Sequence, residues 1–274
     1  LYFADGPKAI PNVWFLDIHR GATQWERLED RPSAGMVATT FAQGDYLYSA
    51  FGTDWKPHEH SISDTNIYRM NVRKRSGWEI VTHFPGKPRW FAPTTICNGK
   101  LYVIGGRDVP VGGITEFDLR NSYGHLIPSE LKPDGSVRFE YFSDMSEYDF
   151  STDKWRELPR APRAFASEAF TVADRWIVVP GGRSYIVDSY GVAVAIKQKV
   201  RKLGFMADSY EVWAYDTLTG QWEILESLPY GICSHRVAKW KDRVYIIGHE
   251  TQDPLRSNTY NTVFEGRIKI IDKK

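Results

Sequence analysis

Near the end of the chain, Ile247-Gly248-His249-Glu250 is followed by Pro254-Leu255-Arg256. Glutamate and arginine at this spacing offer a titratable oxygen and a permanent cation, both expected to face the mouth of a central channel. A surface salt bridge, or unrelated loop charges, is the competing reading. His58-Glu59-His60 puts two imidazoles at i and i+2, which point the same way on an extended segment. With His125 or His249 they have the chemistry of a transition-metal site, but spacing fixes no third ligand. They are read as exposed loop histidines, and no metal or cofactor is assigned. Arg107, Asp108, Arg183 and Asp188 add charges at loop starts. Trp55, Trp90, Tyr123, Tyr185 and Tyr190 offer aromatic faces to a sugar ring or a protein partner, unless packing uses them. Gly-x-Ser-x-Gly, phosphate-loop and His-Glu-x-x-His motifs are missing from the sequence.

These residues hang on a repeat. Tyr46-Leu-Tyr-Ser-Ala-Phe-Gly52, Lys100-Leu-Tyr-Val-Ile-Gly-Gly106, Arg175-Trp-Ile-Val-Val-Pro-Gly-Gly182 and Arg243-Val-Tyr-Ile-Ile-Gly248 are apolar strands ending in glycine. Leu1-Tyr-Phe-Ala-Asp-Gly6 is a fifth. A tryptophan precedes four of them at an almost fixed distance: Trp25, Trp78, Trp155 and Trp222 lie 21 to 24 residues before Tyr48, Tyr102, Trp176 and Tyr245. Alternating strands around Val13–Asp17, Asn66–Met70, Ser146–Asp149 and Tyr210–Asp216 complete the pattern. Each unit therefore has an inner strand, a glycine strand, a Tyr-Asp strand and a Trp strand.

The extra length sits between the second and third strands, in insertions at about 107–144 and 183–208. Long loops at one place on a rigid scaffold commonly carry function. Strand direction alternates, so these loops share a face with the connections from each fourth strand to the next unit. His58, His60, His83, His125, His235 and His249 fall on that face, and only His19 lies opposite. Residues 192–203 have helical apolar spacing and predict a short basic helix.

Tyr-Asp-x-x-Thr-x-x-Trp, at Tyr148–Trp155 and Tyr215–Trp222, together with the Gly-Gly doublets, resembles kelch repeats. The resemblance covers essentially the whole chain and implies an all-β, kelch-type β-propeller of at least five four-stranded blades. The blades are expected at about 1–30, 31–84, 85–159, 160–227 and 228–274, as one domain. The arginine that often starts a kelch inner strand is found at Arg89 and Arg163. The ends do not close one blade, which predicts either a fragment of a six- or seven-bladed ring with an N-terminal portion missing, the favoured reading, or a five-bladed ring with an irregular seam. Galactose-oxidase-like copper chemistry is not expected. It needs a Tyr-His dipeptide that is missing here, and Cys97 and Cys233 read as buried packing residues on separate inner strands.

The Glu250 and Arg256 arrangement, Glu226-Ser-Leu-Pro-Tyr-Gly231 and the long fourth-blade insertion resemble bacterial sialic-acid mutarotases, the N-acetylneuraminate epimerases. The resemblance implies that Arg256 clamps a sugar carboxylate while Glu250 moves a proton during ring opening and closing. Arg107, Asp108, Arg183, His249, Trp55, His58 and His60 would line the ligand. His249 departs from the family, which runs glycine directly into glutamate.

Composition bounds the remaining classes. Thirty-five Lys and Arg balance 34 Asp and Glu, so no basic surplus marks a nucleic-acid partner. No apolar run approaches the length of a membrane span. The expectation is a carbohydrate-handling propeller, mutarotase-like or sugar-binding. The alternative is a protein-interaction module or structural subunit using the same loops. Periplasmic, exported and cytoplasmic locations all remain open.

Overall fold

The computed structural model describes residues 11–17, 20–33, 38–52, 64–108, 141–187, 193–195, 207–253 and 256–270. The chain divides into two compact units, Leu1–Trp90 with Asp108–Thr115, and Phe91–Arg107 with Glu116–Lys274.

In the first unit, β1 (Trp14–Phe15) and β2 (Glu26–Arg27) form a small hairpin. Strands β3 (Thr39–Gln43), β4 (Tyr46–Ala50), β5 (Asn66–Asn71) and β6 (Glu79–His83) make a four-stranded antiparallel sheet in sequence order; β7 (Arg89–Trp90) follows. Cross-strand pairs hold the register: Phe41 stacks on Tyr48 at 5.1 Å, and Leu47 lies opposite Met70. The hairpin lays Val13 and Leu28 on Met70, and Trp78 Nε1 donates to Glu29 O at 3.1 Å. This is the expected unit of inner, glycine, third and Trp strands.

The second unit repeats that order. Strands β8 (Thr94–Cys97) and β9 (Lys100–Ile104) precede β10 (Arg107–Asp108), which opens the first insertion. Strands β11 (Met145–Asp149) and β12 (Lys154–Leu158) then complete a four-stranded sheet with β8 and β9. Strands β13 (Phe170–Val172) and β14 (Trp176–Pro180) start the next sheet. The second insertion folds as its own three-stranded sheet of β15 (Arg183–Val187), β16 (Ala193–Ala195) and β17 (Ala207–Asp208). The helix expected from residue 192 is thus contradicted where β16 pairs with β15; extended pairing overrides the helical spacing. Strands β18 (Val212–Asp216) and β19 (Gln221–Ile224) finish the sheet begun by β13.

The last sheet has three strands, β20 (Arg236–Trp240), β21 (Arg243–Asp253) and β22 (Arg256–Arg267). No fourth strand joins this sheet among the described residues. The glycine strand expected at 1–6 lies outside them. Among the described residues no helix is long and apolar enough to cross a membrane.

The repeated motif has a local cause. The Asp of Tyr-Asp caps the turn into the Trp strand: Asp149 Oδ1 accepts from Ser151 N at 2.8 Å, and Asp216 Oδ1 from Leu218 N at 3.0 Å. Asn71 does the same for Lys74 N. Its tyrosine packs on the tryptophan, with centroids 5.3 Å apart for Tyr148 and Trp155 and 5.1 Å for Tyr215 and Trp222. Between sheets of the second unit, Tyr102, Ile104, Met145, Phe165, Ile177 and Val179 form a continuous core.

Buried arginines fasten the second strand to the third. Arg163 Nη1 donates to Ser209 Oγ at 2.8 Å and lies 3.1 Å from Glu211, while Nη2 reaches Gly181 O at 3.4 Å. In the first unit Arg31 donates to Ser49 Oγ and Phe51 O and sits 3.9 Å from Asp64. Arg31 is therefore a third repeat arginine beside Arg89 and Arg163, hidden in the sequence because it precedes its inner strand by a longer gap.

Gly105 must be glycine. At φ +52° a Cβ would stand 2.7 Å from both Phe142 O and Phe165 O. Gly105→Ala is expected to cost about 2 kcal/mol or more, read as a lower urea midpoint; an unchanged midpoint would contradict this packing.

Candidate functional site

In the second unit, the glycine strands β9, β14 and β21 run toward the end from which the inner strands β8, β13 and β20 start. Antiparallel pairing therefore gathers the loop-bearing residues of three sheets at one end. Arg183 sits there with its backbone bonded both ways to Ala166, at 3.0 and 2.9 Å. Gly182 N donates to Ile232 O at 2.8 Å, which ties the fourth glycine strand to the approach of β20. Gly182 tolerates no side chain here, since a Cβ would lie 2.7 Å from Ala166 O. Arg107 follows Gly106, whose amide donates to Phe165 O, and its guanidinium lies over the Phe91 ring at 5.7 Å.

Two residues that the sequence reading passed over stand in this cluster. Glu168, just before β13, and Arg236, on β20, pair with Nη1 to Oε1 at 2.6 Å. The Glu168 side chain is 12% exposed and that of Arg236 is 47% exposed. Burial pushes the Glu168 carboxyl up to about 7, against the lowering influence of Arg236. His235 is buried beside them, its Nε2 3.5 Å from Ser167 Oγ, and Ser167 Oγ donates to Pro180 O at 2.8 Å. No local motif announces such a pair, because the partners lie 68 residues apart. Only the blade register aligns them.

The expected Glu250 and Arg256 fall in a place the sequence did not foresee. The glycine strand does not end at Gly248: it passes a bulge between Ile247 and His249 and continues into a long hairpin with β22. Glu250 pairs with Thr259 and Arg256 with Asp253, three rungs apart on one ladder. His249, opposite Tyr260, belongs to the same extension. Arg236 pairs with Ile247, so the Glu168–Arg236 pair stands at the root of this hairpin.

The other expected residues divide clearly. Arg107 and Arg183 are half-buried at the insertion starts, and Asp108 lies in β10. Trp55, His58, His60, His125, Tyr123, Asp188 and Tyr190 lie outside the described residues. Trp90 is 3% exposed, so it packs and offers no open face. His235, expected on a loop, is a core residue at 1% exposure. Cys97 and Cys233 are buried, and burial pushes the Cys97 thiol up to about 11, too high for a nucleophile at neutral pH.

No protein-family model matches the chain. The chain is 28% identical over 250 residues to N-acetylneuraminate epimerase of Yersinia enterocolitica, covering 85% of this chain and 56% of that protein. N-acetylneuraminate epimerase 1 of Escherichia coli O6:H1 is 26% identical over 209 residues, 70% of this chain and 50% of that one. The chain spans about half the length of these curated relatives. Kelch repeat and BTB domain-containing protein 2 of horsepox virus is 31% identical over 103 residues, 36% of this chain and 18% of that one. The solved structure of YjhT superposes with a TM-score of 0.57 at 18% identity, covering 90% of this chain and 68% of that one. Repeat, sheet order and structural likeness together make this chain a kelch-type β-propeller.

Proposed function

We propose that this chain handles a carbohydrate at the face carrying the strand-two-to-three loops, and that the sugar carries a carboxylate, as N-acetylneuraminate does. The observation that carries the reading is similarity to N-acetylneuraminate epimerases along 85% of the chain. The gathering of Arg107, Arg183 and Arg236 at one end of the second unit supports it, because guanidinium groups suit planar anions. In this reading Arg256 holds the sugar carboxylate. Glu250 accepts the anomeric hydroxyl proton and passes it to the ring oxygen as the bond from the anomeric carbon to that oxygen breaks; the reverse transfer accompanies attack of the ring hydroxyl on the other face of the carbonyl. Arg107, Arg183 and His249, all of the second unit, line the sugar.

Thermal unfolding with N-acetylneuraminate tests this. A ligand at a hundredfold its Kd stabilises by about 2.7 kcal/mol, so the wild-type Tm is expected to rise while Arg256→Ala stays flat. A wild-type Tm unmoved by the sugar would overturn the reading.

A further inference from the structure

We propose that Arg236 is a second carboxylate-binding group on this face and that Glu168 takes up a proton when an anion occupies it. The inference rests on the sugar reading for the identity of the anion. Its physical basis is the asymmetry of one ion pair. Arg236, on β20, keeps about half its side chain in solvent, whereas Glu168, just before β13, is nearly covered. An anion arriving from solvent therefore meets the guanidinium and not the carboxylate. Nη1 of Arg236 is held by Glu168 at 2.6 Å and by the His235 carbonyl at 3.3 Å. A planar guanidinium so oriented still presents other donors to a carboxylate.

Occupation of Arg236 changes the setting of Glu168. A second negative charge then shares its counter-ion, and two carboxylates on one cation favour protonation of the buried one. The surrounding groups offer Glu168 little other relief. His235, on the approach to β20, turns its ring to Ser167 Oγ. Arg183 approaches from the β14 side through the Ala166 bridge. Arg163, on the same segment as Glu168, is committed to Ser209 and Glu211. The Glu168 carboxyl already sits near 7, so the proton comes from solvent at neutral pH and no covalent bond changes. The pair stands where β20 meets β21, three residues before Glu250 on the strand opposite.

Calorimetric titration of the full chain with N-acetylneuraminate, in two buffers of different ionisation enthalpy, tests the proposal. At pH 7.5 the wild type is expected to take up roughly half a proton or more per sugar, and its affinity to fall by up to about tenfold per pH unit above 7. Glu168→Gln should bind with no proton uptake and a flat profile. Arg236→Gln should lose about tenfold or more in affinity together with the uptake. N-acetylmannosamine, which has no carboxylate, should exchange no proton. Circular dichroism establishes that both variants are folded. Wild-type binding without buffer-dependent heat, or uptake equal in wild type and Glu168→Gln, would overturn the proposal while leaving the sugar reading intact. No binding at any pH would overturn both.

Discussion

Replacing Arg163 by Met is expected to lower the free energy of unfolding by about 3–5 kcal/mol, the cost of breaking a buried, multiply bonded ion pair. The guanidinium is 5% exposed and faces Ser209, Glu211 and Gly181 O, with the Phe165 ring 4.7 Å from its centre. Burial pulls its pKa down to about 10, so it remains a cation at neutral pH. A methionine fills the space but leaves Glu211 and Ser209 facing an apolar group. Glu211 keeps a quarter of its side chain exposed, so Arg163→Met with Glu211→Gln should recover part of the loss. The effect is local to function as well. Arg163 closes the root of the second insertion, where Ser209 N also donates to Gly182 O, so the variant should be cut by protease within 183–208 sooner than the wild type. Arg243→Met, at the exposed pair with Glu265, should leave the urea midpoint almost unchanged. Equal losses at Arg163 and Arg243 would contradict the clamp.

The second large effect is a dependence of stability on pH. The Glu168 carboxyl is pushed up to about 7 in the folded chain from an ordinary 4.5. The folded state therefore binds more protons than the unfolded state between these values, and stability falls as pH rises from 4.5 to 7, by up to about 3 kcal/mol. Asp216 has the opposite sign. Hydrogen bonds from Arg175 hold it at about 2, below its ordinary 3.8, so its contribution is present above 3.8 and lost as pH falls toward 2. Urea midpoints across pH 3–8 should show both limbs. Glu168→Gln should flatten the limb above 4.5 and leave the acid limb. A limb above 4.5 that survives in Glu168→Gln would assign it to another group.

The repeat was legible because its residues act locally. Trp, Tyr-Asp and the Gly-ending strands each pack or cap within one sheet, so their spacing is written along the chain. Strand order within the four-stranded sheets followed from it. The hairpin beyond Gly248 was not legible, since Pro254-Leu255 reads as a loop whether the flanking residues pair or not. Helical spacing misled at Ala193–Ala195 for a related reason: short apolar runs carry no reliable period, and edge pairing decided for β16. Glu168 and Arg236 were invisible because their meeting depends on two sheets placing strand starts side by side, a relation no single segment contains.

The central claim is that this face converts the anomers of a carboxylate-bearing sugar. Anomer exchange of N-acetylneuraminate, followed by NMR with catalytic amounts of the full chain, tests it most directly. The account predicts exchange faster than in buffer alone, lost by about a hundredfold or more in Glu250→Gln, where a general acid–base group is removed. An exchange rate equal to that in buffer, with the sugar demonstrably bound, would contradict it.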